Sequence, residues 1–134
     1  MNLTPQQYGL LAEEKVKKIL EREYQATFAK RKLVLGKKSN GDKIKKEFDL
    51  VSDDGQIVVE VKSYKFDNKA TKKAGYTTTR KWRLIGACFY LSKVKKATNR
   101  ILVLTNKELY SQFNKDMDGL LYSNVEIRHV PIRV

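Results

Sequence analysis

The spacing of hydrophobic residues along this chain changes from helical to extended and back, which predicts an α/β fold. Residues 4–24 have apolar side chains at spacings that fit one side of a helix: Leu10, Val16, Ile19 and Leu20. Thr4 is the expected N-cap, because Pro5 suits the first helical position and Gln7 completes a capping box. A helix is therefore predicted over residues 4–24.

Several later segments have the length and hydrophobic pattern of strands. They are residues 26–35, 45–52, 56–63, 100–105 and 125–132. The second and third are expected to form a hairpin, because Asp53, Asp54 and Gly55 between them favour a tight turn. Helical spacing returns at residues 107–117 and at residues 78–97, where the apolar positions include Trp82, Ile85, Cys88, Phe89 and Val94.

Length and charge limit the class of protein. The 134 residues fit a single domain spanning 1–134, which is large enough to bury its own core. An excess of 28 Lys and Arg over 15 Asp and Glu gives a net charge of +13. Such a charge favours a nucleic acid or an anionic membrane surface as partner, and a solvated lysine-rich surface is the alternative.

Cysteine and histidine are scarce, which excludes an intrachain disulfide and a cysteine-rich zinc site. Cys88 lies among apolar residues and is expected in the core, whereas His129 is expected to have a surface or packing role. No apolar window reaches transmembrane length and the N-terminus lacks a signal-peptide pattern. The expectation is a cytoplasmic protein with no membrane partner.

The most informative positions lie in the predicted hairpin, where charged residues interrupt apolar strands. Glu60 and Lys62 alternate with Val59 and Val61, so both charges project from one face of a strand whose neighbours favour burial. The turn folds Asp49 back beside Glu60. Because unpaired buried charges are costly, two carboxylates and a lysine that converge indicate a cation site. A cross-strand ion pair on a solvated face is the alternative.

The arrangement of Asp49, ten residues, and then Glu60-Val61-Lys62 resembles the signature of the PD-(D/E)xK nuclease superfamily, although Phe48 stands where that superfamily often has proline. The resemblance implies a restriction-endonuclease-like core, in which a central mixed β-sheet is flanked by helices in the order αβββαβ, followed here by αβ. It extends to small Holliday-junction resolvases and to nucleases of phages and mobile elements, which often act as homodimers. A homodimer is therefore an expectation by analogy.

The same resemblance implies Mg²⁺-dependent hydrolysis of DNA phosphodiester bonds, with Mn²⁺ as a substitute. Asp49 and Glu60 are then the metal ligands, with the carbonyl of Val61 as a third, and Lys62 acts on the attacking water or on the transition-state charge. A neutralising partner of Glu60 is the other interpretation of Lys62.

An acid in the first helix is a further candidate. Glu13 lies close to the apolar stripe, whereas Glu14 falls on the polar side. In junction resolvases and related nucleases the first helix carries a glycine, three residues and a glutamate that reaches the metal, and Gly9 to Glu13 has this spacing. A solvated acid favoured by the helix dipole explains Glu13 equally well.

Basic and aromatic residues are mixed in the predicted loop at residues 64–79 and at the start of the next helix. Such mixtures suit phosphates and unstacked bases. The expected nucleic-acid contacts are Lys69, Lys72, Lys73, Tyr76, Arg80, Lys81, Trp82 and Arg83. For the basic residues of the helix, a solvated turn is the alternative.

These features together predict a metal-dependent endonuclease acting on DNA. The alternative is a non-catalytic, basic nucleic-acid-binding module with a degenerate nuclease fold. A binding module gains nothing from carboxylates that repel phosphate, which favours the enzyme.

Overall fold

The computed structural model describes residues 3–64 and 76–133, and in this part of the chain helices and strands follow the predicted order. The elements are α1 (Pro5–Tyr24), β1 (Phe28–Lys37), β2 (Lys43–Ser52), β3 (Ile57–Lys62), α2 (Thr78–Ser92), β4 (Asn99–Leu104), α3 (Lys107–Asp116) and β5 (Glu126–His129). The predicted α/β class is therefore confirmed. None of the described helices is long and apolar enough to cross a membrane.

The strands form one mixed sheet in the order β1-β2-β3-β4-β5. β1, β2 and β3 pair antiparallel, whereas β4 is parallel to both β3 and β5. Parallel neighbours need a crossover connection, and here α2 lies between β3 and β4 in the chain and α3 between β4 and β5. The β2–β3 hairpin turns at Gly55, whose φ of 75° favours glycine.

The helices cover opposite faces of the sheet. The cluster on one face joins α1 to the sheet and contains Val16, Leu20, Leu50, Val59 and Ile101. The cluster on the other face joins α2 and α3 to the sheet and contains Leu84, Leu91, Val58, Leu102 and Phe113. The ends of β2 and β3 therefore lie between α1 on one side and α2 on the other.

Helix α1 begins as predicted, because the Thr4 side chain accepts a hydrogen bond from the Gln7 amide in a complete capping box. The buried stripe consists of Ala12, Val16 and Leu20, so Val16 and Leu20 are buried as predicted, whereas Leu10 and Ile19 are not. Leu10 is 58% exposed. At 3.6 residues per turn it projects roughly 120° away from the centre of that stripe.

Helix α2 is shorter than predicted and presents a different side to the core. It ends at Ser92, and Val94 is buried beyond the helix. The buried side chains of the helix are Leu84, Ala87, Cys88 and Leu91. Cys88 lies in the core as predicted, and burial raises the pKa of its thiol to about 12. Two residues predicted for the apolar side, Trp82 and Phe89, are instead 64% and 43% exposed.

Candidate active site

An extra residue in β2 determines the direction of the Asp49 side chain. The pairing of β1 with β2 passes from Ala29 opposite Val51 to Arg31 opposite Phe48, so two steps along β1 match three along β2. An extra residue on one strand of a pair is a β-bulge. A β-bulge changes the direction of a side chain and is frequent beside functional sites. As a result, Asp49 and Leu50 both line a cleft beside α1.

The hairpin ladder opens at Asp49, and two carboxylates replace the backbone pairing. The register of β2 with β3 pairs Leu50 with Val59 and goes no further toward Asp49. Beyond that point the Asp49 amide donates to Glu60 Oε1 at 2.9 Å, and the Val61 amide donates to Asp49 Oδ2 at 2.8 Å. The two acids are therefore side by side, as predicted, and each has one oxygen committed to a backbone amide.

The same hydrogen bond indicates the direction of the Val61 carbonyl. In a strand, the N–H and C=O groups of one residue point to the same side. Because the Val61 amide is directed at Asp49, its carbonyl lies on the β3 edge that faces the opening. Asp49, Glu60 and this carbonyl thus offer three oxygen donors around one gap in the sheet.

Glu60 is an unusually buried acid. It is only 4% exposed, and its second oxygen, Oε2, lies 3.6 Å from Lys46 Nζ. Burial raises the pKa of Glu60 and the charge of Asp49 raises it further, while the Asp49 amide and the ammonium groups of Lys46 and Lys62 partly offset the rise. Burial, more than the neighbouring charge of Asp49, therefore disfavours the ionised form of Glu60.

Glu13 lies on α1 and lines the cleft that Asp49 and Leu50 also line, and its side chain is 23% exposed. Burial and then the Asp49 charge raise the pKa of Glu13, and Lys30, whose Nζ lies 3.7 Å from Glu13 Oε1, opposes that rise. Glu13 and Asp49 therefore border one cleft, and a role of Glu13 at the metal stays a prediction. Glu14 also borders this cleft of about 190 Å³, but it is exposed.

Lys62 occupies the end of β3 and is partly buried. Its ammonium lowers the pKa of both Glu13 and Glu60, so its charge acts on acids from two different elements. The ion pair formed by Glu60 is with Lys46 and not with Lys62. Both interpretations of Lys62, as a group that acts in catalysis and as a neutralising partner of Glu60, therefore stay predictions.

The oxygen donors at the opening between β2 and β3 can be compared with those that a metal ion requires. Within residues 3–64 and 76–133, no group of three or more His, Cys, Asp or Glu side chains is suited to holding a metal ion. Two carboxylates and a carbonyl remain. This set fits Mg²⁺, which usually binds through one or two carboxylates and completes its shell with water and substrate phosphates.

Some of the predicted nucleic-acid contacts lie within the described residues and others do not. Lys69, Lys72 and Lys73 lie outside the described residues. Tyr76 is partly buried, and its hydroxyl donates to Asp116 at 2.8 Å, so this ring has a packing role. Lys81 Nζ lies 3.5 Å from the same carboxylate.

The remaining predicted contacts lie at the start of α2. Arg80 stacks over the ring of Tyr64 at 4.5 Å. Trp82 and Arg83 are exposed, and they remain accessible to a ligand. His129 packs against Tyr110 with ring centroids 5.7 Å apart, in agreement with the predicted packing role.

Lys46 was not anticipated from the sequence, because it is one of many lysines in a basic chain. Its Nζ lies near Glu60 and also over two rings, 5.2 Å from the centroid of Phe48 and 5.7 Å from that of Tyr90. The only available signal was its position three residues before Asp49 on the same predicted strand.

No protein-family model, curated protein or solved structure matches this chain. The chemistry open to the site is set by its own side chains. Paired carboxylates with a carbonyl can hold a hard divalent cation, and an adjacent ammonium can stabilise negative charge or orient a water molecule. Such a combination suits the hydrolysis of a phosphodiester.

Proposed function

We propose that this protein is a Mg²⁺-dependent endonuclease of the PD-(D/E)xK type that hydrolyses DNA. The observation that carries the proposal is the opening between β2 and β3. There, Asp49 and Glu60 each accept a hydrogen bond from a backbone amide through one oxygen. The charge of Asp49 raises the pKa of Glu13, and the Lys62 ammonium lowers the pKa of both Glu13 and Glu60. A fold of the restriction-endonuclease type, with β2 and β3 carrying the site, is part of the proposal.

The roles follow from the chemistry of each group. Asp49, Glu60 and the Val61 carbonyl would hold the cation, which supplies Lewis acidity and lowers the pKa of water. Lys62 would orient the attacking water or stabilise the charge that develops on the phosphate oxygens. Glu13 would accept a hydrogen bond from water in the cleft, a role that its raised pKa makes sensitive to pH.

Charge supports a nucleic acid as the substrate. The net charge of +13 attracts a polyanion from a distance. The acidic cleft, in contrast, repels phosphate unless a cation is bound there. A bound metal ion would therefore explain how a positively charged protein can have acidic residues at its centre. A second copy of the chain in a homodimer would let two sites address two strands, which is part of the same proposal.

The test is a substrate panel of plasmid, single-stranded and branched DNA, incubated with Mg²⁺, Mn²⁺ or EDTA. We expect cleavage with either cation and none with EDTA. Asp49→Asn, Glu60→Gln and Lys62→Ala should each abolish or strongly reduce cleavage, whereas Asp53→Asn should not, because Asp53 is an exposed acid in the turn of the same hairpin.

The first two variants should bind DNA as tightly as the wild type or more tightly, since each change removes repulsion toward phosphate. Cleavage by either variant at the wild-type rate would refute the site. DNA binding without cleavage of any substrate would favour the alternative, a non-catalytic nucleic-acid-binding module.

A further inference from the structure

Helix α2 and the loop before β5 expose a continuous group of aromatic side chains. Tyr90, Phe89 and Tyr122 are 40%, 43% and 38% exposed. The Phe89 ring centroid lies 5.6 Å from that of Tyr90 and 6.5 Å from that of Tyr122, edge to face in both cases. We call these three side chains the aromatic row. Contiguous exposed apolar groups of this kind usually mark a binding surface.

The aromatic row begins next to the candidate active site. Lys46 Nζ lies 3.6 Å from Glu60 Oε2 and 5.7 Å from the centroid of the Tyr90 ring. A single lysine side chain thus separates the buried acid from the first ring. A ligand that lay along the row would therefore end beside Lys46, the ion-pair partner of Glu60.

The charge around the aromatic row indicates which kind of partner the row can bind. Lys93 Nζ lies over the Phe89 ring, 5.2 Å from its centroid, and Lys46 Nζ lies over the Tyr90 ring, so each ring of this pair has a cation beside it. Helix α2 contains no acidic residue, and the sequence has none between Asp67 and Glu108. A second copy of the chain would bring the same lysines against these, which repel. An anionic partner with flat apolar groups fits both the charge and the rings.

We propose that the aromatic row stacks unpaired bases of a nucleic-acid strand while Lys93 contacts its phosphates. Aromatic rings stack on any unpaired base, whereas bases inside a duplex are already stacked on each other. Resting on the proposed nuclease function, this makes the substrate a single strand, or a duplex with an unpaired segment beside the scissile phosphodiester.

Binding to a base-free strand gives a direct test. Fluorescence anisotropy in EDTA would compare a labelled thymidine oligonucleotide with an abasic oligonucleotide of equal length, which has the phosphates and lacks the bases. We expect the wild type to prefer the thymidine strand by at least about fivefold, the lower limit for one stacked base. Phe89→Ala with Tyr122→Ala should lose most of this preference and keep the affinity for the abasic strand.

Two further variants serve as controls. Leu11→Ala removes a side chain that is 41% exposed on α1, on the other face of the sheet, and should leave both affinities unchanged. Phe89→Trp keeps an aromatic surface and should retain the preference. If the double variant is unfolded by circular dichroism, Phe89→Leu takes its place, because leucine keeps apolar volume and lacks a ring.

Equal affinity of the wild type for the two strands would overturn the proposal, as would an unchanged preference in the variants without the rings. Sedimentation gives a further outcome. If the wild type is a dimer, and the double variant is a monomer that keeps the base preference, the row is a subunit contact and the proposal is also overturned. Because binding is measured without a cation, base preference without cleavage would refute only the nuclease function, and cleavage without base preference would refute only the aromatic row.

Discussion

Asp49 has two separable roles in this structure, and two substitutions distinguish them. Its Oδ2 atom accepts the Val61 amide at 2.8 Å where the hairpin ladder opens. Its charge raises the pKa of Glu60 and of Glu13. Asp49→Asn keeps a carbonyl acceptor of the same size and removes the charge, whereas Asp49→Ala removes both.

The expected stability effects differ in size. Asp49→Ala leaves the Val61 amide without this acceptor, at a cost of about 1–3 kcal/mol for a buried donor. For a domain of this length, each kcal/mol lowers Tm by roughly 3–5 °C, so we expect a fall of roughly 3–15 °C. Asp49→Asn should melt at or above the wild-type temperature, because the amide stays bonded and the repulsion with two acids is gone. Neither variant should cleave DNA.

Thermal unfolding followed by circular dichroism in EDTA measures these differences without any contribution from a bound cation. Asp53→Ala is the matched control and should change Tm little, since its side chain lies in the exposed turn. An Asp49→Ala protein as stable as the wild type would show that the Val61 amide does not depend on this carboxylate. Equal loss in Asp49→Asn and Asp49→Ala would show that the charge, and not the acceptor, stabilises the hairpin.

Three other predictions concern the charged residues around Asp49 and Glu60. Because the folded pKa of Glu60 is raised above its ordinary 4.5, ionisation opposes folding and stability falls as pH rises through the folded value. Glu60→Gln should therefore melt above the wild type near pH 8 and equal to it near pH 4, and a constant difference would contradict this. Glu13→Gln should reduce cleavage far more than Glu14→Gln, and equal small effects would return Glu13 to a solvated acid. Lys46→Met removes a cation that lowers the pKa of Glu60, so the acidic limb of the cleavage rate should move to higher pH, and an unmoved limb would contradict the pairing.

Local patterns in the sequence predicted the parts of the fold that depend on near neighbours. The start of α1 follows from Thr4, Pro5 and Gln7, whose capping contacts span only one helical turn. The hairpin follows from the turn at Gly55, which brings Asp49 beside Glu60. The helical period also placed Glu13 near the apolar side of its helix. Each of these depends on contacts within a few residues or across one turn.

Other features of the site were decided by packing between distant elements. The extra residue in β2 depends on its pairing with β1, and hydrophobic alternation along β2 alone does not reveal it. The choice of Lys46 as the partner of Glu60 depends on where the lysine side chain ends relative to Phe48 and Tyr90. Many lysines in this chain have the same local surroundings, so only the fold distinguishes this one.

Helix α2 shows most clearly which features follow from the sequence and which depend on tertiary packing. Its sequence has apolar residues around most of its circumference, so helical period alone allows more than one buried side. The sheet packs against the side with Leu84, Cys88 and Leu91, which leaves Phe89 and Tyr90 partly exposed. The sequence by itself determined the class of fold, the order of its elements and the pairing of two acids. The tertiary structure decided which surfaces remain open, because burial depends on the shape of the partner surface and not on the residue alone.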